Sequence, residues 1–112
     1  MPSDRFAFCT DDKHVDDVMR EGHIRWNVKK AISLGMDPVE AVRMATLNAA
    51  QCYGLKRLGA VAPGYRADLV VLDNLQELNV LRVYKNGIRV TEDSFAGKNR
   101  PVAKELLDTV HL

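Results

Sequence analysis

Two adjacent carboxylates, Asp11 and Asp12, close the run Phe6-Ala7-Phe8-Cys9-Thr10, and His14 follows them after one lysine. A carboxylate at the end of an apolar strand can ligate a metal or move a proton. It can equally cap the helix that follows, by accepting backbone N–H bonds. The two tasks are compatible, because one aspartate can cap while its neighbour does chemistry. His14 is placed either to touch a ligand at the mouth of a pocket or to begin a helix in solvent. His23, after Glu21-Gly22, is a second candidate for a pocket wall, and His111 lies too near the C-terminus to suggest a role. These are the only three histidines, and none forms a His-x-His pair. A hydrolytic metal centre needs several imidazole and carboxylate ligands converging on one point. Cys9 and Cys52 have neither a metal-binding nor a redox spacing. Both sit among apolar residues and read as buried thiols, which suits a reducing, cytoplasmic compartment.

The elements that position these residues are readable from pattern. Phe6 to Thr10 alternates like an inner strand, and a single strand cannot satisfy its own edges. From Val15 to Leu34 the apolar residues keep helical spacing, interrupted at Glu21-Gly22-His23, which predicts two helical pieces. Asp37, Pro38 and Glu40 compose an N-terminal signature with capping box, and one helix is expected from there to Gly54. Its apolar stripe is Val42, Ala45, Ala49 and Tyr53, with Val39 and Cys52 beside it. After Lys56 the pattern turns to strands. Leu58–Ala62 is short and apolar, and Leu69–Leu72 reads as a strand covered on both faces. Val80–Tyr84 and Ile88–Val90 flank Asn86-Gly87, a strong hairpin signal. Glu92 to Asn99 is polar loop, and residues 101–112 read as a short amphipathic helix.

At 112 residues the chain has the length of one ordinary domain. Its 46% hydrophobic and 28% charged residues are those of a globular protein. A net charge of +1 argues against nucleic acid or an anionic membrane as partner. No apolar run approaches the roughly 20 residues of a membrane helix, and the N-terminus lacks the apolar core of a secretory signal. Trp26 beside Arg25 and Lys29 suggests a nucleic-acid platform only superficially. Asp12, Asp16, Asp17 and Glu21 lie just upstream, and a solvated helix face accounts for the charges. Pro63-Gly64-Tyr65-Arg66-Ala67-Asp68 lacks the glycines and the Gly-Lys-Ser/Thr of a phosphate loop.

Four segments share one resemblance: Cys9-Thr10-Asp11-Asp12-Lys13-His14, Glu21-Gly22-His23-Ile24, Met44-Ala45-Thr46-Leu47-Asn48-Ala49-Ala50 and Pro63-Gly64-Tyr65-Arg66-Ala67-Asp68-Leu69. They resemble the C-terminal end of the catalytic part of the adenine deaminases, in the amidohydrolase superfamily of metallo-dependent hydrolases. The last two segments are general to the superfamily, and the first two point to adenine deaminase. The likeness covers about residues 6 to 95 of a family whose members have several hundred residues. It implies an α+β fragment, with the last strand and helices of a TIM-type barrel followed by strands of a small β-sandwich. Residues 1–56 are then the end of the (β/α)8 barrel and 57–98 the C-terminal part of the β-domain. Residues 99–112 are a linker or short helix. The implied reaction is adenine plus water to hypoxanthine plus ammonia, by metal-hydroxide attack at C6 with an aspartate as proton shuttle.

That role, with contact to the metal, falls to Asp11, and Asp12 is the alternative. His14 and His23 are the implied substrate-binding candidates. The cofactor is a divalent metal (Mn, Fe or Zn), whose remaining ligands in the family come from upstream strands. A complete binuclear site therefore cannot be assembled from one copy of this chain, and alone it is expected to be inactive. Another amidohydrolase acting on a cyclic C–N bond fits the general motifs. A non-catalytic α+β interaction module fits the shortage of histidine. A fragment is expected to expose the faces of Phe6–Cys9 and Val42–Tyr53 and so to self-associate.

Overall fold

The computed structural model describes residues 3–95. A 3-10 turn, Ser3–Arg5, leads into four helices: α1 (Val15–Glu21), α2 (Ile24–Ser33), α3 (Pro38–Ala45) and α4 (Leu47–Cys52). Three strands follow, β1 (Leu69–Leu72), β2 (Val80–Lys85) and β3 (Ile88–Arg89), then a 3-10 turn at Glu92–Phe95. The helix expected over residues 101–112, the linker at 99–112 and His111 lie outside the described residues.

The interruption expected at Glu21-Gly22-His23 separates α1 from α2. The start of α3 also follows its signature: Asp37 Oδ1 accepts the backbone N–H of Val39 and of Glu40, each at 3.0 Å, and Pro38 opens the helix. Such a cap contributes about 1 kcal/mol. The single helix expected to Gly54 is, however, two. At Thr46 the backbone leaves the helical region (φ −128°, ψ −87°), and the Thr46 hydroxyl donates to the Val42 carbonyl at 2.8 Å. A threonine bonded back to the preceding turn competes with the regular helix ladder and bends it. Gly59 lies directly against this break. A Cβ there would sit 2.7 Å from the Thr46 carbonyl oxygen, and its φ is +84°. The buried residues are Ala41, Met44, Asn48 and Ala50, the first three one position off the expected stripe. Tyr53, Val39 and Cys52 are exposed.

Asn86 (φ 51°) and Gly87 (φ 78°) both take positive φ, as a type I′ hairpin requires. They join β2 to β3, and β1 pairs with β2, giving an antiparallel sheet of order β1-β2-β3. Asp68 locks the hairpin from outside by accepting Lys85 Nζ and, at 2.9 Å, the Asn86 N–H. The Lys85 ammonium and the Asn86 N–H hold the Asp68 carboxyl below the usual aspartate range. Between β1 and β2, Asp73 and Asn74 organise a loop by accepting the N–H groups of Asn79, Gln76 and Glu77. That loop drives Leu78, at φ 55°, into the core, where it is only 2% exposed and packs with Val28 and Ala41. Arg25 Nη1 donates to the Leu78 carbonyl at 3.3 Å, and Lys29 pairs with Glu77 at 2.6 Å. The Leu78 loop is thus the joint between sheet and helices.

Several sequence expectations are corrected. Phe6–Thr10 is not a strand, and among the described residues it has no strand beside it. Its one ladder-like bond runs from the Phe8 N–H to the Met44 carbonyl, 3.2 Å. An extended segment becomes a strand only when at least one neighbouring strand pairs with its backbone. Leu58–Ala62 forms no strand for the same reason. Val70 and Val71 are exposed rather than covered, because no second layer lies over this sheet among the described residues. Among the described residues the architecture is a small α+β arrangement of four helices and a three-stranded antiparallel sheet. Cys9 and Cys52 are free and exposed, not buried. The core that forms is small, centred on Val28, Ala41 and Leu78, and does not reach either thiol.

Candidate functional site

The segment from Phe8 to His14 is held as a shaped turn by residues far from it in sequence. Asp11 is at its apex, with φ 47°, a left-handed conformation in which aspartate is tolerated better than most residues. The Lys13 N–H bonds to the Asp11 carbonyl at 2.8 Å, tightening the apex. The Asp11 N–H contacts Cys9 Sγ at 3.4 Å. On one flank, Thr10 Oγ1 hydrogen-bonds His23 Nε2 at 3.0 Å, and Asn27 Nδ2 donates to the Cys9 carbonyl at 3.1 Å. On the other, Lys13 Nζ pairs with Glu21 at 3.1 Å and sits 4.7 Å from the centroid of the Trp26 ring. The Lys13 ammonium holds the Glu21 carboxyl below the usual glutamate range, with a smaller contribution from Arg20. Trp26 is thus engaged by a cation, not presented as a stacking platform.

Neither aspartate caps α1. The N-cap position is His14, which makes no side-chain cap bond. Among the described residues no ion pair uses Asp11 or Asp12. Both are exposed at the tip of the turn. His14 and His23 start α1 and α2 respectively. His23 is joined to Thr10, next to Asp11, so the structure brings that pair together across 13 residues. Sequence reasoning overlooked Asn27 and Lys13. The signal available was helical spacing, since His23 and Asn27 are four apart and share a helix face.

Upstream support comes from Asn48, which is 3% exposed. Its Nδ2 donates to the carbonyls of Ser3 (2.7 Å) and Phe6 (2.8 Å). The asparagine of the Thr-x-Asn segment therefore tethers the chain leading to the Asp11 turn. An apolar groove of about 480 Å³ lies elsewhere, between α2–α3 and β1–β2. Val28, Val42, Leu69, Leu72 and Val80 line it, and none of Asp11, Asp12, His14 or His23 does. Its chemistry is that of an uncovered packing surface, so the reactive candidates are at the turn and not in the groove.

Whether these residues suit a metal can be judged from the donors. Asp11 offers one carboxylate, unpaired among the described residues and suitable as one ligand. Among the described residues no group of three His, Cys, Asp or Glu side chains is placed to hold an ion. Also among them, no helix is long and apolar enough to cross a membrane.

The sequence model of the amidohydrolase family matches residues 2–90. Similar curated proteins include an adenine deaminase of Desulfitobacterium hafniense (strain Y51), 53% identical over 107 residues, covering 96% of this chain and 19% of that protein. An adenine deaminase of Petrotoga mobilis is 56% identical over 91 residues, covering 81% of this chain and 16% of its own length. One of Geobacillus kaustophilus is 54% identical over 88 residues, 79% of this chain and 15% of that protein. The chain thus spans less than a fifth of each of these three relatives.

Proposed function

The chain belongs to the amidohydrolase family, and on that footing we propose that it supplies the proton-shuttling end of an adenine deaminase, a hydrolase converting adenine and water to hypoxanthine and ammonia. The observation that carries this is the Asp11 turn, a carboxylate with no ion pair among the described residues on an apex fastened from both flanks. An Asp11 carboxylate oxygen accepts the proton of the attacking water as the C–O bond forms at C6. The same oxygen then returns the proton to the departing amine, so Asp11 is base and then acid. A divalent cation (Mn, Fe or Zn), when bound, makes water acidic enough to react near neutral pH, and Asp11 is the one donor this segment offers it. Asp12 is the alternative for the proton role, and His14 is the candidate contact to the purine.

In this reading residues 1–56 are the end of a (β/α)8 barrel, with Phe6–Thr10 completed as its last strand by upstream strands. Residues 57–98 belong to a small β-domain, and the groove between α2–α3 and β1–β2 receives apolar side chains from the rest of it. The isolated chain is inactive and associates through these uncovered faces. Two free thiols suit a cytoplasmic enzyme.

The test is a segment exchange. Residues 2–95 replace the matching stretch of the D. hafniense enzyme, and the chimera is assayed on adenine. Asp11→Asn is expected to lower kcat by roughly 100- to 10,000-fold, the usual contribution of a positioned acid–base group, and Asp12→Asn by far less. Activity of Asp11→Asn within twofold of the chimera refutes the assignment. Preference for a cyclic amide over adenine refutes the substrate.

A further inference from the structure

We propose that the elbow between α1 and α2 is a positioning clamp for the Asp11 turn, in which His23 acts through the Thr10 hydroxyl and does not touch substrate. The proposal deepens the Asp11 assignment and rests on it. Left-handed backbone at a non-glycine residue persists only where its surroundings over-determine it, and here the surroundings can be named. His23, the N-cap of α2, and Asn27, four residues further on, fasten Thr10 and the Cys9 carbonyl at 3.0 and 3.1 Å. Glu21 and Trp26 fasten Lys13 from the other side, at 3.1 and 4.7 Å. The last residue of α1 and the start of α2 thus grip the two neighbours of the Asp11–Asp12 pair, and among the described residues both carboxylates are left unengaged. Gly22 is the pivot between the helices, so one short junction delivers both grips.

A histidine whose Nε2 is already bonded to Thr10 has one ring nitrogen left for any ligand. Loss of the imidazole should therefore act on the geometry of Asp11 and not on substrate binding. Positional errors near 1 Å at a reacting group cost on the order of a hundredfold in rate, and a lost hydrogen bond alone roughly two- to tenfold. The expected loss lies between these.

The test uses the chimera and the chain itself. In the chimera, His23→Ala and Thr10→Val should each lower kcat about tenfold or more while KM stays within twofold. The double variant should be no slower than the slower single variant, because one bond is removed in both. His23→Gln, whose side-chain amide nitrogen lies near the position of Nε2, should recover most of the rate. The clamp is overturned if His23→Ala raises KM while Thr10→Val is silent, or if the two losses multiply. In the chain itself, backbone hydrogen exchange at Lys13, whose N–H is bonded to Asp11, should accelerate about fivefold in His23→Ala, with exchange in β1 and β2 unchanged. Unchanged exchange at Lys13 overturns the clamp. This measurement needs no catalysis. An active Asp11→Asn chimera would therefore discard the catalytic assignment and leave the clamp to be judged by exchange.

Discussion

Gly59→Ala probes whether the loop after α4 really bears on the break at Thr46. The added methyl would sit 2.7 Å from the Thr46 carbonyl oxygen and 2.8 Å from Thr46 C and Leu47 Cα. All three are backbone atoms, so none can swing aside as a side chain could. Gly64 is the internal control. Its φ is +78°, close to the +84° of Gly59, but nothing lies within 4 Å of a Cβ placed there. Left-handed backbone costs alanine about 1–2 kcal/mol. A stiffer unfolded chain returns about 0.4–1 kcal/mol of that. Gly64→Ala should therefore destabilise by no more than about 1.5 kcal/mol. Gly59→Ala carries the same backbone cost plus overpacking against fixed atoms, about 1–3 kcal/mol more. Urea unfolding followed by Trp26 fluorescence gives both values from midpoints at a common slope. The informative quantity is the difference between the two variants, because the backbone cost cancels. Equal midpoints, or a Gly59→Ala midpoint above that of Gly64→Ala, would mean that the loop does not lie against Thr46. The consequence reaches the site, because the break at Thr46 sets where α4 places Asn48, and Asn48 tethers the segment ahead of the Asp11 turn.

Asn48→Asp removes both donors to the Ser3 and Phe6 carbonyls and buries a carboxylate beside them. Two lost bonds at about 1 kcal/mol each, with the added burial of a charge, should expose residues 3–8 to a protease that spares them in the parent chain. Unchanged cleavage would refute the tether. The hairpin should be sensitive to acid. The folded-state pKa of Asp68 is lowered, chiefly by Lys85, so its contribution is present above the ordinary value of 3.8 and is lost as pH falls through the lower folded value. Amide shifts of Lys85 and Asn86 should report this loss below about pH 4, and Asp68→Asn should abolish it. A hairpin signal that titrates identically in Asp68→Asn would show that another group is responsible.

Much of the architecture was legible because its signals are local. Asp37-Pro38-x-Glu40 starts α3 through bonds that span two and three residues. Asn86-Gly87 makes its hairpin because the turn is decided by two φ angles, and Gly22 separates two helices for a similarly local reason. The aspartates of the Phe8–His14 stretch were legible as chemistry-bearing residues, and the family likeness rested on residue types at fixed spacing. The failures share one cause, which is dependence on partners that are not near in the sequence. Phe6–Thr10 has the alternation of a strand, but a strand is a pairing, and its partners are not among the described residues. The apolar stripe of the helix after Asp37 was displaced by one position because Asn48, a polar residue, is buried by bonds to carbonyls more than 40 residues upstream. Leu78 enters the core from a left-handed loop conformation that Asp73 and Asn74 impose, which no periodicity announces. Asp11 was visible as a candidate from sequence alone. Its freedom from capping, and the His23, Asn27, Glu21 and Trp26 contacts around its turn, were decided only when two helices folded back across it, because hydrogen bonds and cation–π contacts depend on distance in space and not on separation along the chain.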